Sequence, residues 1–146
     1  MSLDLSALFD PRSVAVVGAS SVPGKWGYLL AEGALRGEGR RSVYLVNRRG
    51  GEILGREAYT TLAELPEAPE LVVLSVPASI LEEAVDASLA AGAKALIAIS
   101  AGLGEMGAEG RARVRSARAA SSIATTSAIA SRSARPLVSS GWWGSR

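Results

Sequence analysis

A chain of 146 residues with 48% hydrophobic and 21% charged residues can bury one core and is too apolar to be disordered. Without cysteine or histidine it has no disulfides, no thiolate chemistry and no usual neutral-pH acid–base group or transition-metal ligand, so no catalytic residue and no metal site are predicted. No apolar run approaches the ~20 residues that span a bilayer, and the N-terminus lacks a signal-peptide pattern. We therefore expect a soluble, cytoplasmic protein without membrane contact.

The net charge of +2 conceals a sharp asymmetry along the chain. Residues 1–110 carry 9 Lys/Arg and 14 Asp/Glu, whereas residues 111–146 carry 7 Arg and no acidic residue. The basic character therefore belongs to the C-terminal segment and is not a property of the predicted fold.

The first predicted elements surround a glycine-bearing loop. Residues 3–9 are expected to form one helical turn, residues 13–17 form an apolar strand, and a loop from Gly18 leads into a helix over 23–36. A strand, a glycine turn and a helix start together favour anion binding, because backbone N–H groups and the helix dipole point outward there. The packing residues expected on the two helical segments are Leu5, Leu8 and Phe9, then Trp26, Leu29, Leu30 and Ala34.

The remainder of the chain repeats the strand–helix unit. Further strands are predicted over 43–46, 71–76 and 95–100, with an irregular segment over 52–59 and a helix over 105–120. Capping-box spacing predicts helix starts at Thr61 and at Ser79, and Gly92 is expected to end the second of these helices. This order predicts an α/β, Rossmann-like, doubly wound parallel sheet, with the ligand crevice beyond the carboxyl ends of its strands.

After about residue 120 the periodic pattern is lost. The segment is rich in Ser, Ala and Arg, ends with two adjacent tryptophans close to the C-terminus, and shows no convincing fifth strand. We divide the chain into a domain over 1–120 and an irregular tail over 121–146. The tail is open to three interpretations: a flexible segment, a C-terminus translated in a wrong frame, or a basic nucleic-acid-binding arm. The last is the weakest, because the charges belong to no recognised module.

The loop after Gly18 matches neither of two common phosphate-binding motifs. The dinucleotide fingerprint would need glycines where Ser20 and Pro23 stand. A P-loop would need one residue fewer between Gly18 and Gly24, and a Ser or Thr at the position of Trp26. A purely structural tight turn also explains these glycines, so the loop alone does not decide between a binding site and a turn.

The ends of the later strands add two further signals. Asn47, Arg48 and Arg49 stand where an NAD-binding domain usually carries an acidic residue, and guanidinium groups there suit a ribose phosphate, as in coenzyme A or NADP. A solvated basic loop would contain the same residues. The segments 76–78 and 99–102 combine proline with small residues, which would let a slender ligand lie across the sheet edge, although ordinary loops share this composition.

Many short motifs occur in a characteristic order: L-F-D-P-R-S-V-A-V-V-G-A-S (8–20), P-G-K (23–25), V-N (46–47), E-I-L-G (52–55) with Tyr59, L-P (65–66), V-P-A (76–78) and S-A-G (100–102). Over residues 6–110 this succession resembles the CoA-binding domain of the NDP-forming acyl-CoA synthetases. These enzymes are the acetate–CoA ligases related to the succinyl-CoA synthetase α subunit. The resemblance implies coenzyme A as the cofactor.

The resemblance also implies the residues that contact coenzyme A. Those that would hold its phosphates and ribose are Gly18, Ala19, Ser20, Ser21, Pro23, Gly24 and Lys25. Those that would lie near the nucleotide end are Asn47 and Arg48. Those that would line the pantetheine path are Val76, Pro77, Ala78 and Ser100.

The chain departs from the family pattern in its later part. Family members continue with a strand ending in Gly-Pro-Asn, a domain with a phosphorylated histidine, and an ATP-grasp part, none of which occurs in this sequence. We expect a module that holds coenzyme A for attack of its thiol on an acyl phosphate, is not catalytic alone, and has further synthetase domains or an ATP-grasp subunit as partners. The alternatives are a free-standing CoA-binding regulatory or carrier protein and, less favoured, an NADP-binding oxidoreductase domain.

Overall fold

A computed structural model describes residues 5–100 and the backbone of residues 125–127. The strands are β1 (Ser13–Val17), β2 (Ser42–Val46), β3 (Glu52–Ile53), β4 (Arg56–Glu57), β5 (Leu71–Leu74), β6 (Ala95–Ala98) and β7 (Thr125–Ser127). The α-helices are α1 (Ser6–Phe9), α2 (Trp26–Leu35) and α3 (Leu81–Ala90). Single turns of 3-10 helix occur at Leu62–Glu64 and Ala78–Ile80.

One parallel sheet organises the domain, with its strands in the order β2-β1-β5-β6-β7. The short strands β3 and β4 form a separate antiparallel hairpin. Because β2 lies on one side of β1 and the later strands lie on the other, the chain reverses its direction of winding between β1 and β5. This topology confirms the predicted Rossmann-like, doubly wound fold, in which ligands bind where the strand order reverses.

The sheet is buried on both faces because alternate strand residues belong to two different cores. Val14 and Val16 of β1 pack in the cluster that contains Ala31 of α2. Their neighbour Ala15 packs in the cluster that contains Leu81 and Val85 of α3. Continuous apolar strands such as Leu71–Leu74, buried at all four positions, are what a sheet covered by helices on both faces requires.

The packing residues predicted for the first two helical segments are partly confirmed. Leu8, Leu30 and Ala34 pack against the core. The predicted packing of Leu5, Phe9, Trp26 and Leu29 is wrong, because these side chains are exposed. Phe9 is 76% exposed, and Ala7 is the buried residue of α1. On α2, Trp26 and Leu29 are 46% and 47% exposed, while the buried residues are Gly27 and Ala31. The first turn of α2 lies too close to the end of β1 to place a side chain between them, since a Cβ on Gly27 would lie 2.0 Å from the carbonyl oxygen of Gly18.

Several predicted boundaries differ from those in the structure. Strands 71–76 and 95–100 end two residues early, and the segment expected to be irregular contains the hairpin β3–β4. The capping box at Ser79 does not form, because residues 78–80 make a 3-10 turn and Ile80 precedes α3 as its N-cap. Gly92 ends α3 with a φ of +87°, as predicted.

Most of the predicted tail and the helix predicted over 105–120 lie outside the described residues. Within that tail, Thr125–Ser127 forms β7, which pairs in parallel with β6. No strand could be predicted there from the sequence, because a segment of three residues is too short to show a periodic pattern of hydrophobic residues. In the described part of the chain, no helix has the length and apolarity to cross a bilayer.

Candidate ligand-binding site

A cleft of about 340 Å³ opens at the carboxyl ends of β1, β2 and β5, where the winding of the chain reverses. Its volume falls within the ~300–1,000 Å³ range of small-molecule sites. The apolar residues that line it are Val17, Val46, Leu62, Val76, Pro77, Ile80, Ala84 and Ala87. The other residues that line it are Gly18, Asn47, Arg48, Thr60, Thr61, Ser75 and Glu83.

Gly18 brings the ends of three strands together. Its N–H and that of Ala19 donate to the carbonyl oxygen of Val46, at 3.0 and 3.2 Å. Gly18 has a φ of +83°, and a Cβ added to it would lie 2.0 Å from the carbonyl oxygen of Ser75. Only glycine satisfies both the backbone conformation and this close approach.

The loop over 20–25 presents the start of α2 without a side-chain cap. The Ser20 hydroxyl accepts a hydrogen bond from the N–H of Val22 at 3.1 Å, which closes a local turn. Lys25 is the N-cap residue, has an extended backbone, and makes no side-chain capping hydrogen bond. The first N–H groups of a helix need acceptors, and the positive end of its dipole favours an anion.

Asn47 ties the end of β2 to the glycine loop. Its Nδ2 donates to the carbonyl oxygen of Ala19 at 2.7 Å, and its Oδ1 accepts from the N–H of Arg49 at 2.8 Å. Its backbone N–H also donates to the carbonyl oxygen of Tyr59 at 2.9 Å. The residue therefore fixes two loops that border the cleft.

Arg48 and Glu83 form an ion pair at the edge of the cleft. An Nη of Arg48 donates to Oε1 of Glu83 at 3.1 Å. Both side chains line the cleft and remain largely exposed, at 68% and 73%. Exposed pairs of this kind are worth about 0–1 kcal/mol, so Arg48 can change partner at small cost.

Glu64 orders the cleft wall that contains Thr60 and Thr61. Its carboxylate accepts hydrogen bonds from the Thr60 hydroxyl at 2.7 Å, the Thr60 N–H at 2.8 Å and the Thr61 N–H at 3.3 Å. The Thr60 hydroxyl and N–H, which donate to the charged form, lower the pKa of Glu64. The capping box predicted at Thr61 is present.

The structure brings some of the predicted contact residues together and leaves others apart. Those that line the cleft are Gly18, Asn47, Arg48, Val76 and Pro77. Ala19 and Ala78 do not line it, since Ala19 is buried and Ala78 begins the 3-10 turn that follows Pro77. The others that do not line it are Ser20, Ser21, Pro23, Gly24 and Lys25, in the loop before α2, and Ser100, beyond β6.

Sequence reasoning missed part of the cleft. The residues it did not identify are Val17, Val46, Thr60, Thr61, Leu62, Ser75, Ile80, Glu83, Ala84 and Ala87. The capping box at Thr61 was a usable signal for one wall. The approach of Glu83 to Arg48 depends on the packing of α3 on the sheet, where it contacts β5, and it has no local signal in the sequence.

Comparison with known proteins agrees with this geometry. A family model described as CoA binding domain matches residues 12–132. The chain is 38% identical over 113 residues to the α subunit of ADP-forming acetate–CoA ligase I from Pyrococcus furiosus, an alignment that covers 75% of this chain. The match spans only 24% of the length of that relative, so it corresponds to one part of the relative.

Solved structures show the same architecture both as part of a much longer chain and as a chain of similar length. Acetyl-coenzyme A synthetase 1 of Ca. Korarchaeum cryptofilum, in complex with phosphate and ADP, matches with a TM-score of 0.74 and 28% identity, over 84% of this chain and 26% of that one. A conserved hypothetical protein from Pyrococcus furiosus matches with a TM-score of 0.59 and 27% identity, over 80% of this chain and 92% of that one. The family-model match over residues 12–132, together with the glycine loop and the cleft at the strand ends, identifies this chain as a member of the CoA-binding domain family, whose ligand is coenzyme A.

Proposed function

We propose that this chain holds coenzyme A across the carboxyl ends of its strands as the N-terminal module of an NDP-forming acyl-CoA synthetase of the acetate–CoA ligase type. The observation that carries the proposal is the cleft at the reversal point, which combines an apolar lining with the guanidinium of Arg48. The similarity to acetate–CoA ligase α subunits supports the choice of enzyme class. The proposal includes the cytoplasmic location expected from the sequence and a domain over 1–120.

The residues around the cleft suit different parts of coenzyme A. The uncapped start of α2 and the loop from Gly18 to Lys25 would receive the pyrophosphate. Arg48 would pair with the phosphate on the ribose, since a guanidinium matches phosphate geometry. The residues proposed for the uncharged pantetheine arm are Val76, Pro77, Ala78 and Ser100.

The chemistry of this module is positioning. In the complete reaction the coenzyme A thiol attacks the carbonyl carbon of an acyl phosphate, a carbon–sulfur bond forms, and inorganic phosphate leaves. This chain contains no histidine to carry a phosphoryl group, so neighbouring domains or an ATP-grasp subunit would form the acyl phosphate. The module contributes affinity and orientation, which lower the entropic cost of the transfer.

Substitution at Arg48 tests the assignment of the site. We expect Arg48→Ala to weaken coenzyme A binding about tenfold, in line with the loss of a charge-assisted phosphate contact. Arg49→Ala is the matched control, because Arg49 belongs to the same loop and does not line the cleft. Gly18→Val should also weaken binding, with circular dichroism to verify its fold. Unchanged affinity in both Arg48→Ala and Gly18→Val would rule out this site.

A free-standing CoA-binding protein is the second candidate function. One observation favours it: the chain covers 92% of the length of the conserved hypothetical protein from Pyrococcus furiosus, a protein of similar size. Sequencing the gene and its flanking region distinguishes the two. Synthetase-domain coding sequence directly downstream supports the module, and an isolated gene supports the small regulatory or carrier protein.

A further inference from the structure

We propose that Glu83 limits the affinity of the site for coenzyme A, because its carboxylate competes with the ribose phosphate of the ligand for the guanidinium of Arg48. This inference rests on the proposed function and deepens it. It assigns to the cleft a residue that contributes to affinity and specificity without being a catalytic group.

The geometry of the pair is the first argument. Glu83 belongs to the first turn of α3, while Arg48 follows β2, and the two lie 35 positions apart in the chain. Their side chains meet at 3.1 Å at the edge of the cleft that both of them line. One of the two terminal nitrogens of the guanidinium fork is thereby engaged by a carboxylate before any ligand arrives.

The charges around the cleft are the second argument. Arg48 is the one cationic side chain among the described residues that line the cleft, and Glu83 is the one anionic side chain. A phosphate that binds Arg48 through a bidentate contact needs both nitrogens of one edge of the fork. It must therefore take the place of the carboxylate or share the cation with it, and like charges at this distance repel.

The exposure of the pair sets the size of the effect. Because both side chains are largely exposed, the ion pair contributes about as much as other surface pairs, and its rupture corresponds to roughly a two- to fivefold change in affinity. If the ribose phosphate replaces the Glu83 carboxylate at this cost, coenzyme A still binds, but with lower affinity than it would without Glu83. A ligand without the ribose phosphate would gain nothing from breaking the pair.

Glu82 is a matched control within the same helical turn. Glu82 and Glu83 are both exposed acidic residues in the first turn of α3, where they interact favourably with the helix dipole. Glu82 does not line the cleft. Glu82→Gln and Glu83→Gln therefore change net charge and helix electrostatics alike and differ in the contact with Arg48.

The experiment is calorimetric titration of the full chain and these two variants with coenzyme A and with dephospho-coenzyme A, which lacks the ribose phosphate. We expect Glu83→Gln to bind coenzyme A about two- to fivefold more tightly than the wild type, Glu82→Gln to bind like the wild type, and dephospho-coenzyme A to bind equally well to all three. Equal or weaker coenzyme A binding by Glu83→Gln overturns the inference, as does an equal gain in Glu82→Gln or with dephospho-coenzyme A.

A double-mutant cycle tests the competition itself. In an Arg48→Gln background the gain from Glu83→Gln should fall by at least half, because no guanidinium remains to compete for. A full gain in that background would mean that Glu83 merely repels the ligand and would contradict the inference. If the wild-type chain binds no coenzyme A, the proposed function fails together with the inference; if it binds and only the Glu83 results disagree, the inference alone fails.

Discussion

The carbonyl oxygen of Gly18 occupies the space that a side chain on Gly27 would need. A Cβ added to Gly27 would lie 2.0 Å from that oxygen and 3.3 Å from the backbone nitrogen of Ser20. The first turn of α2 is thereby held against the end of β1, which places the positive end of the helix dipole beside the loop proposed to receive phosphates.

Gly27→Ala should therefore destabilise the domain although alanine is the better helix former. Overpacking against backbone costs typically 1–3 kcal/mol and exceeds the ~0.5–1 kcal/mol gained in helix propensity. Gly33→Ala in the same helix meets no atom within 4 Å and should stabilise the domain by about 0.5–1 kcal/mol. Urea unfolding measures both, and a Gly27→Ala protein as stable as Gly33→Ala would contradict the close packing.

A second glycine pair separates backbone strain from collision. Gly18 and Gly24 both have positive φ, at +83° and +86°, but only Gly18 has an atom within 4 Å of its virtual Cβ. Gly24→Ala should cost about 1–2 kcal/mol through strain alone. Gly18→Ala adds the collision with the Ser75 carbonyl and should cost clearly more. Thermal unfolding followed by circular dichroism compares the two, and equal losses would count against the collision.

Asn47→Ala tests whether this side chain holds the cleft loops. The variant loses the donation to Ala19 and the acceptance from Arg49, and the Ala19 carbonyl loses its side-chain partner. We expect a loss of about 1–3 kcal/mol in the free energy of unfolding and weaker coenzyme A binding. Arg49→Ala keeps the backbone N–H that Asn47 uses and serves as the control. Wild-type stability of Asn47→Ala would show that the loops are held otherwise.

Glu70 makes stability depend on pH at the opposite end of the sheet. The Arg12 N–H donates to its carboxylate at 2.8 Å and the Lys94 ammonium at 3.0 Å, and these hydrogen bonds lower the pKa of Glu70 from its ordinary value of 4.5. The resulting stability is present above the ordinary value and is lost as pH falls through the lowered pKa.

The wild-type melting temperature should accordingly fall more steeply below about pH 4.5 than that of Glu70→Gln. Glu82→Gln carries the same charge change and leaves Glu70 in place, so it should follow the wild type. Melting curves between pH 7 and pH 3 give the comparison. Parallel curves for the wild type and Glu70→Gln would contradict this role for Glu70.

The sequence was informative where local chemistry decides the structure. The run 13–17 forms β1 with the predicted bounds, because a continuous apolar segment ends at a glycine that the backbone requires. Gly92 at the end of α3 and the capping box at Thr61 also follow from local geometry. The ends of β1 and β2 could thus be predicted to carry the cleft residues Gly18, Asn47 and Arg48.

The sequence was uninformative where contacts between distant segments decide the structure. On α2, the predicted stripe placed Trp26 and Leu29 in the core, but both side chains are exposed, and the Gly18 carbonyl oxygen leaves no room for a side chain at Gly27 in the first turn. Glu83 and Thr60 reach the cleft through the packing of α3 and of the segment after β4. Neither position has a local pattern that distinguishes it from a solvated surface residue.

The most direct test of the central claim is isothermal titration of the purified chain with coenzyme A, with NADP as the control ligand. We expect coenzyme A to bind and NADP not to bind, because the chain belongs to the CoA-binding domain family and its loop lacks the dinucleotide fingerprint. Binding of NADP, or of neither ligand by a chain shown to be folded, would contradict the account.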